Sequence, residues 1–191
     1  MNLPNKLTLL RIALVPPFLI ALFLPHWWAA SASWCNWVAA GIFLLASATD
    51  LIDGRYARKH GLVTEFGKLM DPIADKLLTA SALIMLSYMD YLHPFETIVF
   101  IAREFIISGF RLLAAKKGVI IAADKLGKLK TTLQIVFITM LLLCNEWPFR
   151  FLNPYFTIAA QVLALITLGI SIISCVQYFL RNKGIIDFHD C

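Results

Sequence analysis

The 191-residue sequence predicts an all-α, polytopic membrane protein with six transmembrane helices. Three observations carry this. Hydrophobic residues make up 60% of the chain and charged ones only 15%, against roughly 25% charged in an ordinary soluble domain. Mean hydropathy is +0.76, and the apolar residues fall into six runs long enough to cross a bilayer, which takes about 20 residues. A soluble globular enzyme, a disordered chain and a collagen-like chain are excluded, and the length suits one integral-membrane domain over 1–191.

The six runs are Leu7–Pro25, Trp34–Ile52, Leu69–Met89, Phe95–Ala115, Leu126–Asn145 and Pro154–Leu180. The first ends in Leu24-Pro25-His26-Trp27-Trp28 rather than a small-residue cleavage site, so it is expected to remain as a span. Pro16-Pro17 should kink that span without ending it, because neighbouring helices can satisfy the freed carbonyls. The last run is long enough to tilt or to extend past the bilayer. Connections are short, β-barrel alternation is absent, and no repeat of solenoid period is visible. Cys35, Cys144, Cys175 and Cys191 lack C-x-x-C spacing, so neither a zinc site nor a disulfide framework is implied.

Orientation follows from the basic residues. Lys6, Arg11, Arg55, Arg58, Lys59, Lys68, Lys116, Lys117, Lys125, Lys128, Lys130, Arg181 and Lys183 gather at one end of the spans, and only Arg150 lies at the other. Thirteen against one places both termini and the basic loops in the cytoplasm. The five tryptophans, Trp27, Trp28, Trp34, Trp37 and Trp147, sit near the opposite interface as an aromatic belt. A basic balance in so apolar a chain reads as topology and as a site for an anionic, membrane-borne substrate, with no nucleic-acid partner.

Charges within or beside the spans are the functional candidates, since each costs at least about 2.5–3.5 kcal/mol at the bilayer centre on insertion scales. They are Asp50, Asp53, Asp71, Asp75, Lys76, Arg103, Glu104 and Arg111. An internal salt-bridge network, or helix ends that reach the headgroups, would also account for some of them, Lys76 and Glu104 especially. The aspartates are more organised. Asp50 and Asp53 stand at i, i+3 and Asp71 and Asp75 at i, i+4, so each pair shares a helix face. A short hairpin would bring the two faces together. Four converging carboxylates repel unless a multivalent cation sits among them. All-oxygen ligation points to Mg²⁺ or Mn²⁺, and two such ions form a common clamp for phosphoryl transfer. In the hairpin, Gly54 and Ala57 leave room for a ligand against the backbone, and Arg58 offers a planar fork to a diphosphate. Read blandly, Gly54 and Gly67 shape the turn and Arg58 obeys the positive-inside rule.

The full spacing is D-x2-D-G-x2-A-R-x8-G-x3-D-x3-D, filled by Asp50, Asp53, Gly54, Ala57, Arg58, Gly67, Asp71 and Asp75. It resembles the signature of the CDP-alcohol phosphatidyltransferase family with every position matched. Asn5, Thr8, Arg11 and Pro16 are similar to that family's N-terminal N-x2-T-x2-R-x4-P element. The resemblance implies the family's fold and two divalent ions, Mg²⁺ or Mn²⁺, on Asp50, Asp53, Asp71 and Asp75. Asp75 would also be the catalytic base for the acceptor hydroxyl. The CDP-lipid site would draw on Asn5, Thr8, Gly54, Ala57, Arg58, Thr64 and Gly67.

Arg103 and Arg111, eight apart on one helix face, with Ser108 between them, and Lys128, Lys130 and Thr131-Thr132 at the start of the next span would suit a phosphate dianion on the acceptor. Pairing of Arg103 with acids such as Glu104, and of the lysines with headgroups, is the alternative. The stretch Ala102–Arg111, with Ala122-Ala123-Asp124 and Gly127–Thr132, resembles a bacterial branch of the family that joins CDP-diacylglycerol to sn-glycerol 3-phosphate, giving phosphatidylglycerol phosphate and CMP. That implies a phosphatidyltransferase of the bacterial cytoplasmic membrane whose partners are CDP-diacylglycerol, glycerol 3-phosphate and membrane lipids, with homodimerisation as a family expectation. No Ser, Cys or His is placed as an activated nucleophile, so direct displacement is expected. Other acceptors (a second lipid, inositol phosphate, serine) are the rivals within the fold, and an ion-coupled transporter is the rival from another class. The last span contributes packing alone on this reading.

Overall fold

A computed structural model describes the backbone of residues 3–27, 32–60, 65–116, 125–144, 146 and 149–182, with side chains over 7–24, 34–49, 70, 73–74, 76–115, 126–144, 146, 149 and 151–182. Among these residues the chain is all-helical, with six α-helices. They are α1 (Leu3–Trp27), α2 (Ala32–His60), α3 (Glu65–Tyr88), α4 (Pro94–Lys116), α5 (Lys125–Leu143) and α6 (Tyr155–Arg181), with a 3-10 turn at Phe149–Leu152 before α6. Each predicted span coincides with one helix to within a few residues, except that α2 runs eight residues past Ile52. The expected hairpin at Gly54–Arg58 is therefore continuous helix, although a mid-helix glycine costs roughly 1 kcal/mol against alanine. Helix hydrogen bonds are local and do not stop where apolarity stops. The basic run Arg55, Arg58, Lys59 also suits the negative end of the helix dipole. Helix α1 continues through Pro16 and Pro17, as the sequence implies.

Length and composition make three helices sufficient to cross a membrane: Leu7–Leu24, Leu126–Leu143 and Tyr155–Arg181. Among the described residues, Trp34–Thr49 of α2 and Lys76–Tyr88 of α3 are further apolar helical stretches. Helix α4 is interrupted by Arg103, Glu104 and Arg111. The chain is a membrane protein, and its surface agrees: Ile20, Leu45, Ile98 and Ile173 are each more than half exposed, as side chains facing lipid would be.

Packing divides the helices into two groups. Helix α1 lies against α2 and α3, α6 against α4 and α5, and the groups join through α2 with α5 and α3 with α4 and α5. The shared core holds Phe18, Leu22, Phe43, Leu86, Phe100, Phe137 and Leu141, all fully buried. Phe18 packs on Phe43 with ring centroids 6.2 Å apart, and Phe100 on Phe137 at 5.5 Å. Small residues (Ala39, Ala40, Ala46, Ala82, Ala160, Ala164) fill the close contacts, as expected where lipid removes any hydrophobic drive between helices.

The turn from α3 to α4 is built from local hydrogen bonds. Asp90 takes a left-handed conformation at φ 60°. The N–H of Tyr91 reaches Leu86 O at 2.9 Å and that of Asp90 reaches Ser87 O at 3.2 Å, which closes the helix as a Schellman motif. Pro94 then opens α4, where its missing N–H costs nothing. The His93 N–H donates to Glu96 Oε2 at 3.2 Å, and Nδ1 of His93 accepts from the Phe95 N–H at 3.2 Å. Both ends are satisfied within a few residues, which fixes the angle at which α4 returns beside α3.

Candidate active site

Asp50 and Asp53 lie one helical turn apart near the end of α2, and Asp71 and Asp75 one turn apart near the start of α3, with four residues between the helices. Gly54, Ala57 and Arg58 follow on α2 and Gly67 precedes on α3. The side chains of all eight, and that of Asn5, lie outside the described residues, as does Thr64 entirely. Among the described residues no three His, Cys, Asp or Glu side chains cluster.

What surrounds these segments is informative. Helix α1 packs on both α2 and α3 and presents Thr8, with no exposed surface, and Arg11, at 2% exposed. A guanidinium so far from solvent is tolerable only beside compensating charge or acceptors. Its position on the helix shared by α2 and α3 suits a neighbourhood of carboxylates. By chemistry, the four aspartates of α2 and α3 would offer the all-oxygen donors that hard divalent cations take.

Helix α3 also faces a second polar cluster. Lys76, directly after Asp75, lines a groove between α3 and α4 together with Thr79 and Glu104, over an apolar floor of Ala80, Leu83, Ile101 and Phe105. Glu104 is the hub of that cluster. Lys130 of α5, with no exposed surface, donates its ammonium to Glu104 Oε1. Arg103 Nη1 lies 3.8 Å from the same oxygen. The Lys130 ammonium also sits 5.8 Å over the ring of Phe100.

The residues expected to hold the acceptor phosphate are distributed unevenly. Arg103 and Lys130 converge on Glu104. Ser108 donates its hydroxyl to its own helix, at Glu104 O, 2.7 Å away. Arg111 and Lys128 are exposed, and the Arg111 guanidinium stands 5.6 Å over the ring of Tyr178. Arg103 Nη2 donates to Ser174 Oγ at 3.0 Å, and Arg103 Nε is buried without a partner. Helix α6 thus does more than pack: Ser174 and Tyr178 both touch arginines of α4. Their signal was present as Thr167, Ser171, Ser174 and Tyr178, whose 4-3-4 spacing marks a polar stripe on one face of an otherwise apolar helix.

The family described as CDP-alcohol phosphatidyltransferase matches residues 1–173. A Bacillus subtilis protein named CDP-diacylglycerol–glycerol-3-phosphate 3-phosphatidyltransferase is 43% identical over 188 residues, covering 95% of each chain. A Haemophilus influenzae protein of the same name is 36% identical over 189 residues, covering 96% of this chain and 94% of its own. A Mycobacterium tuberculosis protein named probable phosphatidylglycerophosphate synthase is 40% identical over 180 residues, covering 94% of this chain and 81% of its own.

Proposed function

Since the chain belongs to the CDP-alcohol phosphatidyltransferase family, we propose that it transfers the phosphatidyl group of CDP-diacylglycerol to sn-glycerol 3-phosphate, giving phosphatidylglycerol phosphate and CMP. The observation that carries this choice of substrates is the 43% identity, across 95% of both chains, with a relative named for that reaction. The cations support it: Lys130 and Arg103 together outnumber the one carboxylate of Glu104 that they share, and Arg111 lies on the same helix as Arg103, so an anionic acceptor would balance a positive excess.

On this reading all six helices cross the cytoplasmic membrane of a bacterium, with both termini and the site on the cytoplasmic side, and the chain works as one domain and as a homodimer. The diacylglycerol tails stay in the bilayer while the CDP head lies against Asn5, Thr8, Gly54, Ala57, Arg58, Thr64 and Gly67. Asp50, Asp53, Asp71 and Asp75 would hold two Mg²⁺ or Mn²⁺ ions, which when bound supply neutralisation of the diphosphate charge. Asp75 takes the proton from a hydroxyl of glycerol 3-phosphate. That oxygen attacks the lipid-linked phosphorus in line, a new P–O bond forms, and the bond to the bridging oxygen breaks with its electron pair leaving on CMP. Arg103, Ser108, Arg111, Lys128 and Lys130 form the reception side for the acceptor phosphate.

The test is release of CMP by the purified protein from CDP-diacylglycerol with Mg²⁺ and a panel of acceptors. Rapid release with glycerol 3-phosphate, and slow release with glycerol, serine, inositol phosphate or phosphatidylglycerol, is expected. Preference for any other acceptor would reassign the substrate within the family, and no CMP with any acceptor would remove the transferase reading.

A further inference from the structure

The family match stops at residue 173, just before two α6 residues that touch arginines of α4. There Ser174, 2% exposed, accepts from Arg103 Nη2 at 3.0 Å. One turn later Tyr178, 5% exposed, lays its ring 5.6 Å beneath the Arg111 guanidinium. The arginines are eight residues apart, about 12 Å along α4, whereas their contacts on α6 are four residues apart, about 6 Å. One face of helix α6 thus offers a contact to each of the two long side chains.

The Tyr178 ring is itself held. Phe110 of α4 meets it edge-on, with centroids 5.5 Å apart, and Phe110 meets Phe179 in the same manner at 5.0 Å. Ile107, Phe110 and Tyr178 form a small apolar cluster of their own, apart from the main core. Two polar atoms at this junction have no partner: Arg103 Nε and the Tyr178 hydroxyl, both buried. A buried donor left unsatisfied is costly, and an oxyanion arriving at the junction would relieve that cost.

We propose that Ser174 and Tyr178 are positioning residues that gather Arg103 and Arg111 into a paired guanidinium site for the acceptor's phosphate. Ser174 orients one fork by a hydrogen bond, and the Tyr178 ring steadies the other from beneath by cation–π attraction. An arginine pair ordered before the ligand arrives loses less side-chain freedom on binding. The inference rests on glycerol 3-phosphate being the acceptor.

Initial rates of CMP release against each substrate, the other saturating, test it in the full-length protein. Ser174→Ala should raise the KM for glycerol 3-phosphate about tenfold, with far smaller changes in kcat and in the KM for CDP-diacylglycerol. Ser174→Thr should recover most of that loss, since it restores the hydroxyl. Tyr178→Leu should raise the same KM about two- to fivefold, and Tyr178→Phe, which keeps a ring, should raise it less. Equal losses toward both substrates, or no rescue by Ser174→Thr, would mark a structural role and overturn the proposal. Unchanged KM in the α6 variants while Arg103→Gln and Arg111→Gln raise it would overturn the positioning role and leave the acceptor assignment standing. Unchanged KM in the arginine variants as well would overturn both.

Discussion

Lys130 of α5 and Glu104 of α4, 26 residues apart, form an ion pair in which the lysine side chain has no exposed surface. The pair ties two successive helices, α4 and α5, through their side chains. Desolvating both charges is expensive, and their mutual attraction repays it only while both are present. Arg103 at 3.8 Å shares the carboxylate, so the cluster keeps an excess of positive charge. That is what a site for an anion requires.

Removing one member of this pair should destabilise the protein. Glu104→Ala takes the carboxylate from a buried ammonium, at a cost of about 3–5 kcal/mol, whereas Lys130→Met leaves that carboxylate to Arg103 at 3.8 Å and should cost less. The combined Glu104→Leu, Lys130→Met variant should recover much of the stability, because packed apolar residues replace the charges. Thermal unfolding in one detergent measures all three. Additive losses in the double variant would show that the two side chains do not act as a pair.

Asp71→Asn and Asp75→Asn should abolish transfer while leaving the protein in the membrane and its melting temperature at or above that of the parent. Loss of one carboxylate from a repelling cluster relieves strain when no cation is bound. Near-normal CMP release by purified Asp75→Asn would end its assignment as the base.

Chelation tests the ion requirement separately. Dialysis against EDTA should stop CMP release, and Mg²⁺ or Mn²⁺ should restore it, whereas Ca²⁺ should restore little. Calcium takes longer bonds and more ligands than the octahedral ions, so it sets the diphosphate at the wrong distance. Full activity after exhaustive chelation would exclude the two-ion site.

Neutral replacement of the exposed cations should affect one substrate. Arg111→Gln and Lys128→Gln should each raise the KM for glycerol 3-phosphate about ten- to a hundredfold, the loss of a charge-assisted hydrogen bond. Arg111→Lys should restore part of it, since an ammonium lacks the planar fork. If neither replacement moves that KM, these residues face headgroups and the acceptor lies elsewhere.

Orientation is open to thiol labelling. Cys144 is buried and should resist reagent from either side, while Cys35 is half-buried at the start of α2. With cytoplasmic termini, Cys191 should react with an impermeant maleimide in inverted vesicles and not in intact cells. Labelling of Cys191 in intact cells would reverse the topology.

Helices and the aspartate pattern are legible in the sequence because both are local. A helix in lipid satisfies its backbone within its own segment, so six apolar runs suffice to locate α1 to α6. The spacing of Asp50, Asp53, Asp71 and Asp75 likewise needs only the helical repeat to be read as two pairs. The end of α2 was misplaced for a related reason: hydropathy marks where lipid stops, at Ile52, and helical hydrogen bonds continue to His60 regardless.

Tertiary structure alone decided which charge meets which. The 3.0 Å contact between Arg103 and Ser174 spans 71 residues of sequence, and it depends on the depth and rotation of α4 against α6. Those are set by how Phe110, Tyr178 and Phe179 interlock, not by any periodicity within one helix. Sequence marked Arg103, Arg111 and Lys130 as charges out of place. Packing between helices gave Lys130 to Glu104, Arg103 to Ser174 and Arg111 to Tyr178, because a long flexible cation in a low-dielectric interior goes to whichever acceptor or ring the neighbouring helix brings within reach.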